Sequence, residues 1–259
     1  MRFAFATGHM TRAVKAILIA CTALFVVQWL LPPGPELWLQ HLAGLNVDGI
    51  RNGWVWQFIT YAFLHGSLLH LLLNMLGLYF LGPELERTMG LKSFLSMYLF
   101  SAVLGGLGWF LLTLPYEGVC LGASGGIFGI IGAFAGLFPH RQLTLLLFFV
   151  LPVTMPAWLL AVLFGLFQLA YLMEPGHSGI AYAAHLAGGL AGFTFVKTVY
   201  RSGGWRRTRK NRSWTVNTTA EEPRQSEVDA VLDKITREGI HHLTAAERAL
   251  LQRAGRNRR

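Results

Sequence analysis

Charge is scarce in this sequence, and where it is missing limits what the chain can be. Only 14% of the 259 residues are charged, while 53% are hydrophobic. A soluble globular domain carries about 25% charged residues, so an ordinary soluble fold is excluded. The deficit is uneven. Residues 1–200 hold 8 Lys/Arg and 6 Asp/Glu, whereas residues 201–259 hold 14 and 7. The net +9 therefore divides into an almost neutral apolar body and a basic tail. Cysteine is nearly absent: Cys21 and Cys120 make no disulfide framework and have no metal-ligand spacing. The first apolar run, Val14 to Leu31, lacks a clear small-residue cleavage site and is followed by Pro32-Pro33-Gly34-Pro35, so it is expected to be a retained span. No inverted repeat and no acidic residue within the expected spans support an ion-coupled transporter.

What remains is apolar and periodic. A membrane helix needs roughly 20 mainly apolar residues. Candidate spans are 13–31, 66–82, 92–114, 122–138, 155–173 and 181–199. Pro152 and Pro156 interrupt the run 143–173, leaving 143–152 as an interfacial or re-entrant approach or as part of the fifth helix. The expected fold is an all-α membrane protein of six transmembrane helices with a small cytoplasmic helical tail. Placing both termini in the cytoplasm puts Arg2, Arg12, Lys15, Arg87, Lys92, Arg141, Lys197 and the tail inside, and only Arg51 outside, in keeping with the positive-inside bias. Segment 32–65 carries Trp38, Trp54, Trp56, Phe58, Tyr61 and Phe63. It fits either an external loop or a segment partly seated in the headgroup region.

Polar residues inside a span are costly and are functional candidates. Three spans are singled out: the second holds His70 and Asn74, the fourth opens Gly122-Ala123-Ser124-Gly125, and the sixth holds His185. These helices run in the same direction. At 1.5 Å per residue the four polar groups fall within roughly 12 Å of one membrane face. Gly125, Gly129, Gly132 and Gly136 form one face of the fourth helix, and His185, Gly188 and Gly192 one face of the sixth. Small residues allow close backbone approach in lipid, so the two helices are expected to press together beside Ser124. A hydroxyl there needs a base within hydrogen-bond reach, and His185 suits proton transfer near neutral pH. His70 and Asn74 are four residues apart on one face, and the Ser124 N–H lies in a first turn without helical partners. Together they would stabilise an oxyanion. Taken singly, Ser124 also fits plain packing and Asn74 interhelical adhesion.

His70-Leu-Leu-Leu-Asn74, Gly122-Ala-Ser124-Gly125 and Ala184-His185-Leu-Ala-Gly188-Gly189-Leu-Ala-Gly192 resemble, in order and placement, the HxxxN, GxSG and AHxxGxxxG patterns of rhomboid proteases. The likeness covers about residues 10–200. It implies an intramembrane serine endopeptidase in the cell (inner) membrane, multi-pass, with Ser124 as nucleophile, His185 as general base and His70, Asn74 and the Ser124 backbone as oxyanion hole. It also implies Gly122, Gly125, Gly188 and Gly192 as supporting positions and Phe128 as the ring stacked on the catalytic histidine. The implied substrates are transmembrane segments of other proteins, cut after small side chains, within the lipid bilayer. No metal, organic cofactor or nucleic-acid partner is implied. Gly82-Pro83-Glu84-Leu85-Glu86 to Gly90 looks like the family's loop after the second helix. The Trp-Arg pair of some members' first loop is replaced by Trp54-Val55-Trp56-Gln57. His41, His65 and His177 read as loop residues without catalytic role, Glu117 and Glu174 as surface groups. Trp158 and Phe164 read as lipid-facing bulk, although the resemblance would place a lateral gate between helices 2 and 5.

Three sections are expected: a membrane domain over 1–200, a basic flexible linker over 201–225, and a small cytoplasmic helical hairpin over 226–259. The linker suits anionic lipid or a cytoplasmic partner. In the hairpin, Val228, Val231, Leu232 and Ile235 keep helical spacing, Gly239 stops that helix, and Thr244 to Glu247 forms a capping box opening the next.

Overall fold

The computed structural model describes residues 10–113, 118–147, 150–173, 180–200 and 225–256. Two compact units emerge, residues 1–207 and 208–259.

In the first unit, α1 (Arg12–Leu30), α5 (Leu68–Met89) and α6 (Leu91–Thr113) are the long helices. Arg12–Leu30, Leu68–Met89 and Leu91–Leu112 are each long and apolar enough to cross a membrane. Shorter apolar helices follow: α7 (Ser124–Leu137), α8 (Ala157–Leu172) and α9 (Ile180–Phe195), the last continuing as a π-helical turn over Val196–Tyr200. The span expected at 66–82 extends to Met89, so the predicted loop at Gly82 to Glu86 is helix. Pro83 withholds one backbone N–H, but the chain turns only at Gly90, whose φ of 82° is open to glycine.

The longer α5 brings Glu86 into the interior. Its carboxylate accepts from the Ala13 N–H (3.0 Å) and the Val14 N–H (3.1 Å), at the start of α1. A buried carboxylate is tolerable here because it meets the positive end of a helix and fills that helix's vacant donors. The helix α5 thus carries a buried acidic residue beyond the stretch 66–82 expected to span. Near the same end of the bundle, the Tyr200 hydroxyl donates to the Thr88 carbonyl (2.8 Å) and Arg141 pairs with Glu84 (3.1 Å). At the opposite end of α1, Gln28 accepts from the His65 N–H (3.1 Å) and donates to the His65 carbonyl (3.4 Å).

The aromatic segment after α1 is folded. It contains α2 (Pro33–Ala43), β1 (Leu45–Asn46), α3 (Val47–Arg51) and α4 (Gln57–Thr60). Gln57 is fully buried and ties them together: it accepts from the Asn46 N–H (3.1 Å) and donates to the His41 carbonyl (2.8 Å). β1 pairs antiparallel with β2 (Val119–Cys120), Leu45 opposite Cys120.

The described residues of 143–152 are not part of the fifth apolar helix. β3 (Gln142–Leu147) and β4 (Leu151–Pro156) form an antiparallel hairpin pairing Leu143 with Met155, Thr144 with Thr154 and Leu145 with Val153. Pro152 lies opposite Leu146 and Pro156 opposite Gln142 in a ribbon of two strands, where an edge position tolerates a missing N–H. The fold is therefore predominantly helical, with two small two-stranded ladders among the described residues.

The main core joins α1, α5, α6 and α7 through Val14, Leu78, Phe94, Met97, Tyr98, Ile130 and Phe134. Against α9 the packing is nearly bare backbone. A Cβ on Gly188 would strike the Gly125 carbonyl, one on Gly192 the Gly129 carbonyl, and one on Gly132 the Gly189 carbonyl. The glycine seam inferred from spacing is the α7–α9 contact.

The second unit contains α10 (Gln225–Glu238) and α11 (Ala245–Arg256). The chain turns at Gly239, φ 87°. Glu247 accepts from the Thr244 N–H (2.7 Å), and the Glu247 N–H returns to the Thr244 hydroxyl (3.3 Å). The Lys234 ammonium donates to Glu247 across the hairpin (3.0 Å).

Candidate active site

Ser124 is the first residue of α7. Its position is set by Gly122, which has φ 128°, a conformation open to glycine. The Gly122 N–H donates to the Tyr61 carbonyl (3.0 Å). A Cβ at Gly122 would lie 2.5 Å from Cε1 and 2.7 Å from Nε2 of His70. Only a glycine allows the chain to enter α7 this close to that imidazole. The first backbone bond of α7 runs from the Ile127 N–H to the Ala123 carbonyl (3.0 Å). The N–H groups of Ser124, Gly125 and Gly126 thus precede the ladder and form its positive end.

His185 lies on α9, one turn before Gly188, whose α-carbon is pressed on Gly125 beside Ser124. Its ring lies flat on Phe128, centroids 4.3 Å apart and planes 4° from parallel. Phe128 follows Ser124 by one turn on the same face of α7. Stacking fixes the plane of the imidazole. Its Nδ1 lies 2.9 Å from Oε1 of Gln168 on α8. Ser124 and His185 are each half-buried.

On α5, Ser67 caps the helix by accepting from the His70 N–H (3.2 Å). Asn74 is buried, and its amide donates to the His70 carbonyl (2.9 Å). One of its two N–H groups is thereby used within its own helix. His70 reaches the entrance of α7, whereas Asn74 is tied back to α5. The Tyr61 hydroxyl donates to the Ala102 carbonyl (2.7 Å), with Gly105 and Gly125 packed around it. This bond braces α6 where α7 begins.

Gln168 is the residue that sequence reasoning missed. The rule applied to His70, Asn74, Ser124 and His185 also selects it, as the one amide in the run from Ala157 to Leu172. Two further rings pack against residues of the site. Phe164 is half-buried, and its ring meets Phe128 at 6.1 Å. His65 is almost wholly buried with its ring against His70, centroids 5.3 Å apart. It is a loop residue, as expected, brought to His70 because the turn before α5 folds back on the helix. His41 packs edge-on against Trp54 at 5.4 Å, and Trp158 is exposed. Glu117, Glu174 and His177 lie outside the described residues.

A profile described as Rhomboid domain matches residues 52–202, and a second, described as a family of unknown function (DUF6576), matches residues 219–257. Rhomboid protein 1, mitochondrial, of Saccharomyces cerevisiae is 35% identical over 199 residues, covering 74% of this chain and 55% of that protein. The putative rhomboid protease YdcA of Bacillus subtilis is 38% identical over 116 residues, 43% of this chain and 57% of the relative. The rhomboid protease GlpG of Klebsiella pneumoniae is 30% identical over 198 residues, 71% of this chain and 63% of the relative. The chain thus spans between 55% and 63% of the length of these curated relatives. The Rhomboid domain match takes in Ser124, His185, His70 and Asn74 together with the seam that joins α7 to α9, and the chain is a member of the rhomboid family of integral membrane proteins.

Proposed function

We propose that this chain is an intramembrane serine endopeptidase that cuts transmembrane segments of other membrane proteins through a Ser124–His185 dyad. The observation that carries the reading is the imidazole of His185 stacked on Phe128, one helical turn from Ser124, across a seam of glycines. Two relatives bear the name rhomboid protease. In this reading the Ser124 hydroxyl attacks the scissile carbonyl while His185 takes its proton. The tetrahedral oxyanion is met by the Ser124 N–H at the positive end of α7, by His70 and by the free N–H of Asn74. Its collapse returns the proton to the leaving amine and leaves an acyl-enzyme for water to hydrolyse.

Water reaches this depth because α7 is short. Its 14 residues extend about 21 Å at 1.5 Å each, against a hydrocarbon core of about 30 Å. A nucleophile at its start sits below the membrane surface in a recess. The bundle crosses the cell (inner) membrane six times, with α1, α5, α6, α7, α8 and α9 as spans, both termini cytoplasmic and the recess outward. Substrate must unwind locally, because a helix keeps its carbonyls in internal hydrogen bonds. Segment 1–200 is the protease domain, 201–225 a basic linker touching anionic lipid, and 226–259 a cytoplasmic hairpin.

A serine-reactive fluorophosphonate tests this directly. The wild-type chain in detergent micelles should be labelled, and labelling should vanish in Ser124→Ala. Cleavage of a reconstituted single-span substrate should be lost in Ser124→Ala and His185→Ala, with both variants folded. An unlabelled wild type, or near-normal turnover in either variant, would overturn the assignment.

A further inference from the structure

Gln168 is 5% exposed within an otherwise apolar helix. An amide in that setting is costly unless it is hydrogen-bonded, and its partner is Nδ1 of His185 at 2.9 Å. The atom facing the ring is the amide oxygen, an acceptor without a proton. A ring nitrogen facing it must carry one. In the neutral imidazole the proton then sits on Nδ1, leaving the lone pair on Nε2. The two neighbours divide the work. Phe128 holds the plane of the ring, and Gln168 holds its rotation within that plane and its tautomer.

We propose that Gln168 is a positioning residue for proteolysis, accepting the Nδ1 proton of His185 so that Nε2 is the basic atom. The inference rests on the Ser124–His185 reading. The amide serves both protonation states: neutral imidazole and imidazolium each present a proton at Nδ1. As Ser124 attacks, its proton moves to Nε2 and the Gln168 contact is unchanged. As the amine leaves, the proton moves off Nε2 and the tautomer is restored. A carboxylate in this place would hold the same proton and stabilise the imidazolium more strongly, but it would bring a charge into an apolar helix. Were the amide turned over, its nitrogen would donate to Nδ1, the ring proton would sit on Nε2, and His185 could not act as base.

The test uses the full chain in proteoliposomes with a single-span substrate, measuring kcat and KM from pH 5 to 9. Gln168→Met keeps the length and removes the acceptor; kcat should fall about ten-fold, the size of one neutral hydrogen bond, with KM within two-fold. Gln168→Glu keeps the acceptor and adds charge. It should retain most of the plateau rate while the acid limb of the pH profile moves up by about one unit or more, because a neighbouring carboxylate favours the protonated base. An unmoved limb in Gln168→Glu, or full activity in Gln168→Met, overturns the proposal and leaves Gln168 as packing between α8 and α9. Wild-type chain labelled with nitrogen-15 histidine gives a check independent of how these variants fold. The neutral form of His185, assigned by its loss in His185→Ala, should show a protonated Nδ1, and the opposite tautomer refutes the proposal. Retained turnover in Ser124→Ala or His185→Ala would instead refute the dyad itself.

Discussion

At the scale of single residues, Glu86 shows how a charged group belongs inside an apolar bundle. Its oxygens meet two backbone donors that α1 cannot satisfy itself. Removing the carboxylate leaves those donors buried and unpaired. Glu86→Ala should therefore destabilise the bundle by about 1–2 kcal/mol, the usual cost of a lost helix cap, seen as a lower thermal midpoint in detergent. Glu86→Gln, whose amide oxygen still accepts, should recover much of it. Fluorophosphonate labelling of the folded fraction should be unchanged, because Glu86 lies near the end of the bundle away from Ser124. The sequence pointed to Ser124, His185, His70 and Asn74 because each is a costly group in an apolar run or opens one. It does not assign Glu86, because the last turns of α5 are charged and apolarity alone ends the helix near Gly82. Gln168 was legible by the same rule as His70 but faced no second motif residue on its own helix, and its partner is 17 residues away in sequence.

At the scale of elements, glycines differ by what faces them. Gly192 on α9 has the Gly129 backbone where a Cβ would stand, whereas Gly165 on α8 has open space. Gly192→Ala should force α7 and α9 apart at a cost of about 1–3 kcal/mol and depress labelling of Ser124. Gly165→Ala should be neutral or stabilising by up to about 1 kcal/mol, because alanine is the better helix former. Thermal midpoints and labelling rates of the two variants check this. The seam was readable because helical spacing alone aligns its glycines. The β3–β4 hairpin was readable too, in the alternation Leu143-Thr144-Leu145 and Val153-Thr154-Met155, but an apolar run next to prolines resembles a broken span just as well. In the tail, the Thr244 backbone bond, then the Lys234 and Thr244 side-chain bonds, lower the Glu247 carboxyl from its usual 4.5 to about 2. Such a depressed carboxylate stabilises the hairpin fully above pH 4.5, and the contribution fades as pH falls toward 2. Helicity of α10 and α11, followed by amide exchange in the full chain, should weaken over that window, and Glu247→Gln should flatten the dependence.

At the scale of the whole molecule, the site draws its named side chains from α5, α7, α8 and α9, all within the first unit. Deleting residues 202–259 should accordingly leave cleavage of a reconstituted substrate within about two-fold of wild type, measured at matched expression. A loss of turnover in a well-folded truncation would make the tail part of the mechanism. The order of apolar runs was plain from the sequence. The folding of the first connector was not, because its organising contacts are polar, long-range and centred on one glutamine. Those contacts have a consequence for how damage spreads. The strand at Leu45–Asn46 is stitched to Val119–Cys120, and the chain reaches Ser124 four residues after Cys120. The connector between the first two long helices is thus a foundation course beneath Ser124, so a saturation scan would find Gln57 and Asn46 nearly as intolerant as Ser124 and His185.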